Sequence, residues 1–365
     1  MDLVKVLRYA LVILVFLALP PTLSGNETKE EEKKKKQFGF VPLPVVAYTP
    51  ETSLMLGLKG IAYYNRAPEK KDSVQDSIQV GGIYTLKKQF MGMVRTEFYP
   101  FTEKIMVTMF LTGNKAPEVF FGIGDDLDED TSENYLKVDI RYRAFLGFAL
   151  ARGIYVGPAF DFWKMNVRNT KSGGMLDTSG IKGADGIETF GVGLRVHIDR
   201  KKGIHYPLGG FMTEVKALRY GTKESFYNIY IDHRHYFRIA GEHVIAVQAL
   251  YNINRGEIPF QLMASLGGEE IMRGYYKGAY LDTCMLSAQV EYRFPIFWRF
   301  MGVAFFGVGN VAPGPFAFDP ERTAFAGGLG LRIILDKREK IPIRFDAAVN
   351  REGRFNYYFS ILQAF

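Results

Sequence analysis

Gly267-Gly268-Glu269-Glu270-Ile271-Met272-Arg273-Gly274-Tyr275-Tyr276 runs on, after a short spacer, into Leu286-Ser287-Ala288-Gln289-Val290-Glu291-Tyr292-Arg293-Phe294-Pro295. A polar, glycine-rich loop carries one arginine and then feeds a strand with a carboxylate on its polar face. An exposed loop has no evident use for Arg-Gly-Tyr flanked by glycines. A loop folded back into a barrel lumen does, because a guanidinium there needs a fixed anionic partner. The pair therefore decides the fold if the rest of the chain makes a barrel.

Alternation elsewhere says that it does. In Leu136–Arg143 one face is Leu136, Val138, Ile140 and Tyr142, and the other is Lys137, Asp139, Arg141 and Arg143. Ile343–Asn350 sets Ile343, Phe345, Ala347 and Val349 against Arg344, Asp346, Ala348 and Asn350. A period of two with charged faces argues strand, not helix. The pattern does not say which face is inside. Three features favour a membrane wall: a targeting segment, strands of about 10–14 residues, and aromatic ends such as Tyr63-Tyr64, Phe98-Tyr99, Tyr236-Phe237 and Phe297-Trp298.

The targeting segment is residues 1–25. Lys5 and Arg8 precede the apolar run Tyr9–Leu19, and Pro20–Gly25 offers small residues for cleavage near Ser24 or Gly25. Residues 26–38 are a charged leader that cannot bury a core and reads as disordered, which leaves 39–365 for an outer-membrane β-barrel. Aromatics make up 15% of the chain, glycines number 38, and mean hydropathy is −0.04. Outward apolar and inward polar residues cancel to such a value in a transmembrane barrel. The net charge of +7 is spread along the chain, which argues against nucleic acid. Cys284 is the only cysteine, so no intramolecular disulfide framework exists.

The expected strands lie near 40–48, 53–64, 75–86, 88–99, 104–114, 134–147, 151–165, 187–198, 209–220, 225–238, 242–254, 282–293, 297–310, 323–335, 341–350 and 355–365. The fold class is thus all-β: a 16-stranded antiparallel transmembrane β-barrel with an inward-folded loop. With the first strand running outward, the long connections 115–133, 166–186, 255–281 and 311–322 all fall on the outer side. Pro42 and Pro44 cannot donate to a ladder. Either they sit in the first strand and leave a hydrogen-bond-poor seam with the last one, or they precede it inside the barrel mouth. Phe359, Ile361 and the terminal Phe365 are expected on one face of the last strand.

With these residues in place, the chain resembles the BamA/TamA-type bacterial surface antigen barrels over roughly residues 40–365. The carrying pieces, in order, are Tyr48-Thr-Pro-Glu-Thr52, Phe121-Gly-Ile-Gly124, Asp199-Arg200 and Tyr206-Pro-Leu-Gly-Gly210. Leu266-Gly-Gly268, Met272-Arg-Gly-Tyr275, Glu291-Tyr-Arg-Phe-Pro295, Gly327-Gly-Leu-Gly-Leu-Arg332 and Phe365 complete the series. The resemblance implies that the loop motif Gly267, Gly268, Met272, Arg273, Gly274 and Tyr275 enters the lumen, and that Arg273 bonds acids on the next two strands. Glu291 matches the first acid. Where the relatives have Phe-x-Asp-x-Gly, this chain has Phe305-Phe306-Gly307-Val308-Gly309, so the second acid is missing and Asp346 is the candidate substitute. The resemblance also implies periplasmic POTRA domains for members that insert or secrete proteins. Only a charge-rich stretch of about 13 residues separates the signal segment from the first strand, so the chain reads as a barrel-only member whose partners are outer-membrane lipid, lipopolysaccharide and a periplasmic protein replacing POTRA domains.

Other candidates are weaker. Gly307, Gly309, Gly328 and Gly330 form an inward strip on two neighbouring strands, which either receives the loop through Tyr275 or Tyr276 or eases curvature. Asp125–Asp130 is a solvated loop or a cation site without the calcium-loop glycine. His233 and His235 share a face but lack a third ligand, so no metal or cofactor is expected, and no hydrolase or phosphate-loop motif points to an enzyme. The expected function is outer-membrane biogenesis or transport of polypeptide or lipid by a monomer in the bacterial cell outer membrane. The alternative is a passive pore or a structural or binding surface protein.

Overall fold

The computed structural model describes residues 37–365 except 50–52, 67–74, 101, 125–131, 204, 223–224, 337–339 and 362. The expected signal segment, most of the charged leader and the acidic stretch Asp125–Asp130 lie outside the described residues.

The first eleven strands are β1 (Phe38–Thr49), β2 (Ser53–Asn65), β3 (Gln75–Thr85), β4 (Phe90–Phe98), β5 (Ile105–Phe120), β6 (Glu133–Ala151), β7 (Ile154–Arg168), β8 (Gly186–Asp199), β9 (Gly210–Thr222), β10 (Ser225–Ala240) and β11 (His243–Gly256). After the ribbon strands β12 (Ala264–Leu266) and β13 (Tyr280–Asp282) come β14 (Cys284–Phe297), β15 (Phe300–Ala312), β16 (Ala324–Asp336), β17 (Ile341–Asn350) and β18 (Phe355–Ile361). Sixteen strands close into one antiparallel barrel, with β11 pairing directly to β14 and β18 returning to β1. β12 and β13 pair only with each other, in the connection that folds into the lumen. The fold is the sixteen-stranded barrel expected from the alternation.

Alternation is plainest in β14. Leu286, Val290 and Tyr292 are exposed on the outside, while Ser287, Gln289, Glu291 and Arg293 are buried inside. Phe160, Leu194, Ile229 and Leu329 continue the exposed apolar exterior on other strands. Away from the β1/β18 joint, pairing to a neighbour on each side satisfies the wall's backbone groups internally, which a lipid-facing sheet requires. Register shifts fall at Ala149/Ala151, Arg238/Ala240, Pro295/Phe297 and Ile334/Asp336. All four lie at the end opposite the long connections, where bulges end the pairing at the rim.

Two boundaries differ from expectation, and one open alternative is decided. The β5–β6 ladder continues from Lys115↔Val138 to Phe120↔Glu133, so the connection is 121–132 and not 115–133. Pro117 lies within this extension, opposite Leu136. Its partner ladder on the β4 side ends at Phe90↔Lys115, so Pro117 occupies an edge position, where proline is tolerated. Pro42 and Pro44 lie within β1, opposite Gly60 and Leu58 of β2. Finally, β18 ends at Ile361. Phe365 does not share an outer face with Phe359. It is buried inside, against Tyr236, Val244, Ala246 and Leu208, because its backbone and ring find polar and apolar partners in the lumen that lipid does not supply.

The seam is unequal to every other joint. β1 makes twelve registered pairs with β2, whereas among the described residues β1 and β18 are in register only at Tyr48↔Phe359. Paired antiparallel residues stand about 4.5–5.5 Å apart at Cα, within the roughly 4.4–6.8 Å that disulfides span. Tyr48→Cys with Phe359→Cys should therefore cross-link on mild oxidation, while Phe40→Cys with Phe359→Cys should not. Cross-linking of the second pair alone would contradict the register; Cys284 is buried and does not compete.

Candidate functional site

The connection between β11 and β14 enters the lumen as a short β12–β13 ribbon, in register from Ala264↔Asp282 to Leu266↔Tyr280. Two glycines permit its turns. Gly267 has φ +114°, and a Cβ there would meet the Tyr276 carbonyl oxygen at 1.9 Å. Gly274 has φ +112°, and a Cβ would come within 2.9 Å of Ala326 Cβ on β16. Both conformations are costly for residues with a side chain. Leu266, Met272, Tyr275 and Ala279 then bury against Leu250, Met285, Val311, Ala324 and Ala326 of the wall. Each fully buried Leu or Met contributes about 1.5–3 kcal/mol, so apolar contact supplies the drive to fold inward.

The charged group sets the position. Arg273 Nη2 donates to Glu291 Oε1 at 2.5 Å, and Nη1 donates to Asp346 Oδ2 at 2.8 Å. The guanidinium carbon lies 3.6 Å from the centre of the Phe305 ring. Glu291 stands on the next barrel strand, and Asp346 on β17 supplies the second carboxylate, beside Gly330 and not at Gly307, whose space Met272 takes. Both acids are fully buried and are shared with wall arginines. Arg293 Nε donates to Glu291 Oε2 at 2.8 Å, Arg332 Nη1 donates to Asp346 Oδ1 at 2.5 Å, and Arg344 Nε lies 3.6 Å from Asp346 Oδ2. Arg344 also bonds Glu269 of the loop.

The network reaches the seam strand and the C-terminal residues beyond it. Gly274 N–H donates to Tyr358 Oη at 3.0 Å, and Asn356 Nδ2 donates to the Gly274 carbonyl at 2.6 Å. Both side chains are on the inner face of β18. Arg332 Nε donates to Gln363 Oε1 at 2.9 Å, and Arg293 Nη2 donates to the Phe365 backbone oxygen at 2.8 Å. Arg293 is also 5.6 Å from the ring centres of Tyr206, Tyr236 and Phe365, a distance at which cation–π attraction operates.

The glycine strip has a different occupant from the expected Tyr275 or Tyr276. A Cβ at Gly307 or Gly309 would meet Met272 at 3.1 or 3.0 Å, and at Gly309 also Leu266 at 2.6 Å. Gly328 makes room for the Phe305 ring, and Gly330 for the Asp346–Arg332 pair. Phe121 of the Phe-Gly-Ile-Gly stretch is buried near Tyr276, and Gly124 bridges to Leu281. His233 and His235 are not joined by a third ligand. His235 stacks between Phe211 and Phe237, at 5.8 and 4.1 Å between ring centres. Among the described residues no group of three His, Cys, Asp or Glu is placed to hold a metal.

Sequence reasoning gave no role in the clamp to Arg293, Arg332, Arg344, Asn356, Tyr358 or Glu269. The arginines were visible as inward residues of alternating strands. Nothing in the pattern showed that they share carboxylates.

A family model described as the Omp85 superfamily domain matches residues 168–365, more than half of the chain. The chain belongs to the Omp85 superfamily. Its barrel is similar to that of BamA from Haemophilus ducreyi lacking POTRA domains 1–3, with TM-score 0.58 and 12% identity over 90% of this chain and 71% of that one. CdiB from Acinetobacter baumannii has TM-score 0.55 and 10% identity over 89% of this chain and 60% of its own. CdiB from Escherichia coli has TM-score 0.52 and 12% identity over 90% and 63%. This chain thus spans less than two thirds of either CdiB chain. No curated protein matches it. At these identities the likeness is one of fold.

Breaking a buried ion pair from one side costs about 3–5 kcal/mol, and lysine cannot span two carboxylates as a guanidinium does. Arg273→Lys should therefore lower the unfolding temperature of the barrel in detergent, read by heat-dependent gel mobility. An unchanged transition would contradict the clamp.

Proposed function

We propose that this Omp85 protein acts in biogenesis of, or transport across, the bacterial outer membrane, and that it handles a polypeptide or lipid at the β1/β18 seam. The carrying observation is the joint itself: one registered pair among the described residues, on a strand bearing two prolines, in an otherwise fully laddered wall. The exposed apolar exterior supports residence in lipid, with phospholipid and lipopolysaccharide as neighbours and the long connections facing outward. The lumen supports the seam over a central channel, because the loop fills the side lined by β11 and β14–β16. A periplasmic partner would deliver the client, and the barrel itself works as a monomer without an enzymatic step.

A passive pore is the second reading, favoured by the chamber of about 1130 Å³ that remains beside the loop. Depletion followed by outer-membrane proteomics separates the two. The seam reading expects other outer-membrane barrels or lipid components to fall, and expects the oxidised Tyr48→Cys/Phe359→Cys protein to fail in restoring them while its reduced form succeeds. Full restoration by the locked protein would overturn a role for the seam. A pore would instead leave those components unchanged and conduct in planar bilayers, more so when 266–281 are removed.

A further inference from the structure

The lumen is filled unevenly. The loop packs on β11 and β14–β16, and a chamber of about 1130 Å³ is left against the inner faces of β4–β10. Nine arginines and lysines line it against seven carboxylates. What matters is how these charges are matched.

The carboxylates are largely taken. Asp161 accepts two hydrogen bonds from Arg141, at 2.9 and 2.6 Å, and one from the Tyr220 hydroxyl at 2.7 Å. Glu214 is paired with Arg195 at 2.6 Å and Lys216 at 3.0 Å, and Asp232 with Arg234 at 2.8 Å. Asp199 is 3.3 Å from Lys201, and Glu97 accepts from the Tyr99 hydroxyl at 2.6 Å.

Arg152 stands 3.8 Å from Glu103, Arg200 is left over, and so are two arginines that lie together, Arg95 and Arg143. They stand in one row across three strands, Arg95↔Phe110↔Arg143. Arg143 lies 4.7 Å from the centre of the Phe110 ring, and neither arginine makes an ion pair among the described residues. Phe110 lies against the Arg143 guanidinium, and the exposed Arg95 faces the same chamber. Guanidinium groups with free N–H edges fit the oxygens of a phosphate in bidentate fashion. In this partly enclosed space their attraction is greater than in bulk water.

We propose that the Arg95–Phe110–Arg143 wall is a binding site for a phosphate group, carried by a free phosphate compound or by a lipid headgroup. The site is independent of the clamp and of the seam: none of its residues touches Arg273 or β18, and it stands whether or not the seam opens.

Calorimetric titration of the purified barrel in zwitterionic detergent tests it, with pyrophosphate in one arm and short-chain phosphatidic acid in the other. Saturable binding in either arm is expected, weakened at least tenfold in Arg95→Gln/Arg143→Gln and unchanged in Arg238→Gln, which lies outside the chamber. Binding of pyrophosphate points to a soluble ligand, and binding of the lipid alone to a headgroup. Gel mobility verifies folding of each variant; if the double variant does not fold, Arg95→Gln alone is read for the same weakening. Absence of binding in both arms, or equal binding by the folded variant, would overturn the proposal.

Discussion

A guanidinium enclosed by a barrel wall has to be met by carboxylates, because leaving it unpaired costs several kcal/mol in desolvation. Arg273 meets this constraint with Glu291 on one side and Asp346 on the other, over the face of Phe305. Neither acid is exclusive to it. Each also holds a wall arginine, so the loop, β14, β16 and β17 share one set of charges. Such a set is weak evidence for stability in itself, since apolar residues could fill the same volume. Its contribution is positional: Leu266 and Met272 draw the loop inward, and the carboxylates fix where it stops.

The same network explains how a barrel persists with a weak joint. β18 has one registered partner on β1 but seven on β17, and its inner face is tied to the loop backbone by Asn356 and Tyr358. Beyond the strand, Gln363 and Phe365 are held by Arg332 and Arg293, the arginines that complete the clamp. Most of the last strand's support therefore comes from inside the barrel and from one side of the wall. Detaching β1 from β18 disturbs little else, whereas moving β18 disturbs the loop. That asymmetry is what makes the seam the movable element in the proposed function.

The barrel was legible because alternation is a local property. Leu286–Arg293 declares its two faces without knowledge of any neighbour, and most strand ends could be read from aromatics and turn residues. What escaped were relations between distant segments. The missing acid at Gly307 could be recognised as a gap, and Asp346 named as a substitute, since both lie on inward faces. That Arg332 and Arg344 converge on the same carboxylate depends on register, which alternation does not encode. Phe365 was misplaced for a similar reason: a period of two extrapolates a straight strand past Ile361, while the actual path is set by Arg293, Tyr206 and Tyr236, which are far away in sequence.

The central claim is that Arg273 is coupled to both acids at once. A double-mutant cycle on barrel unfolding measures this, using Arg273→Ala with Glu291→Gln and, separately, with Asp346→Asn. Directly bonded pairs show interaction energies of about 0.5–3 kcal/mol, and both cycles should fall toward the upper part of that range. Additive effects in either cycle would mean that the arginine is not held by that carboxylate, and the account of the lumen would fail.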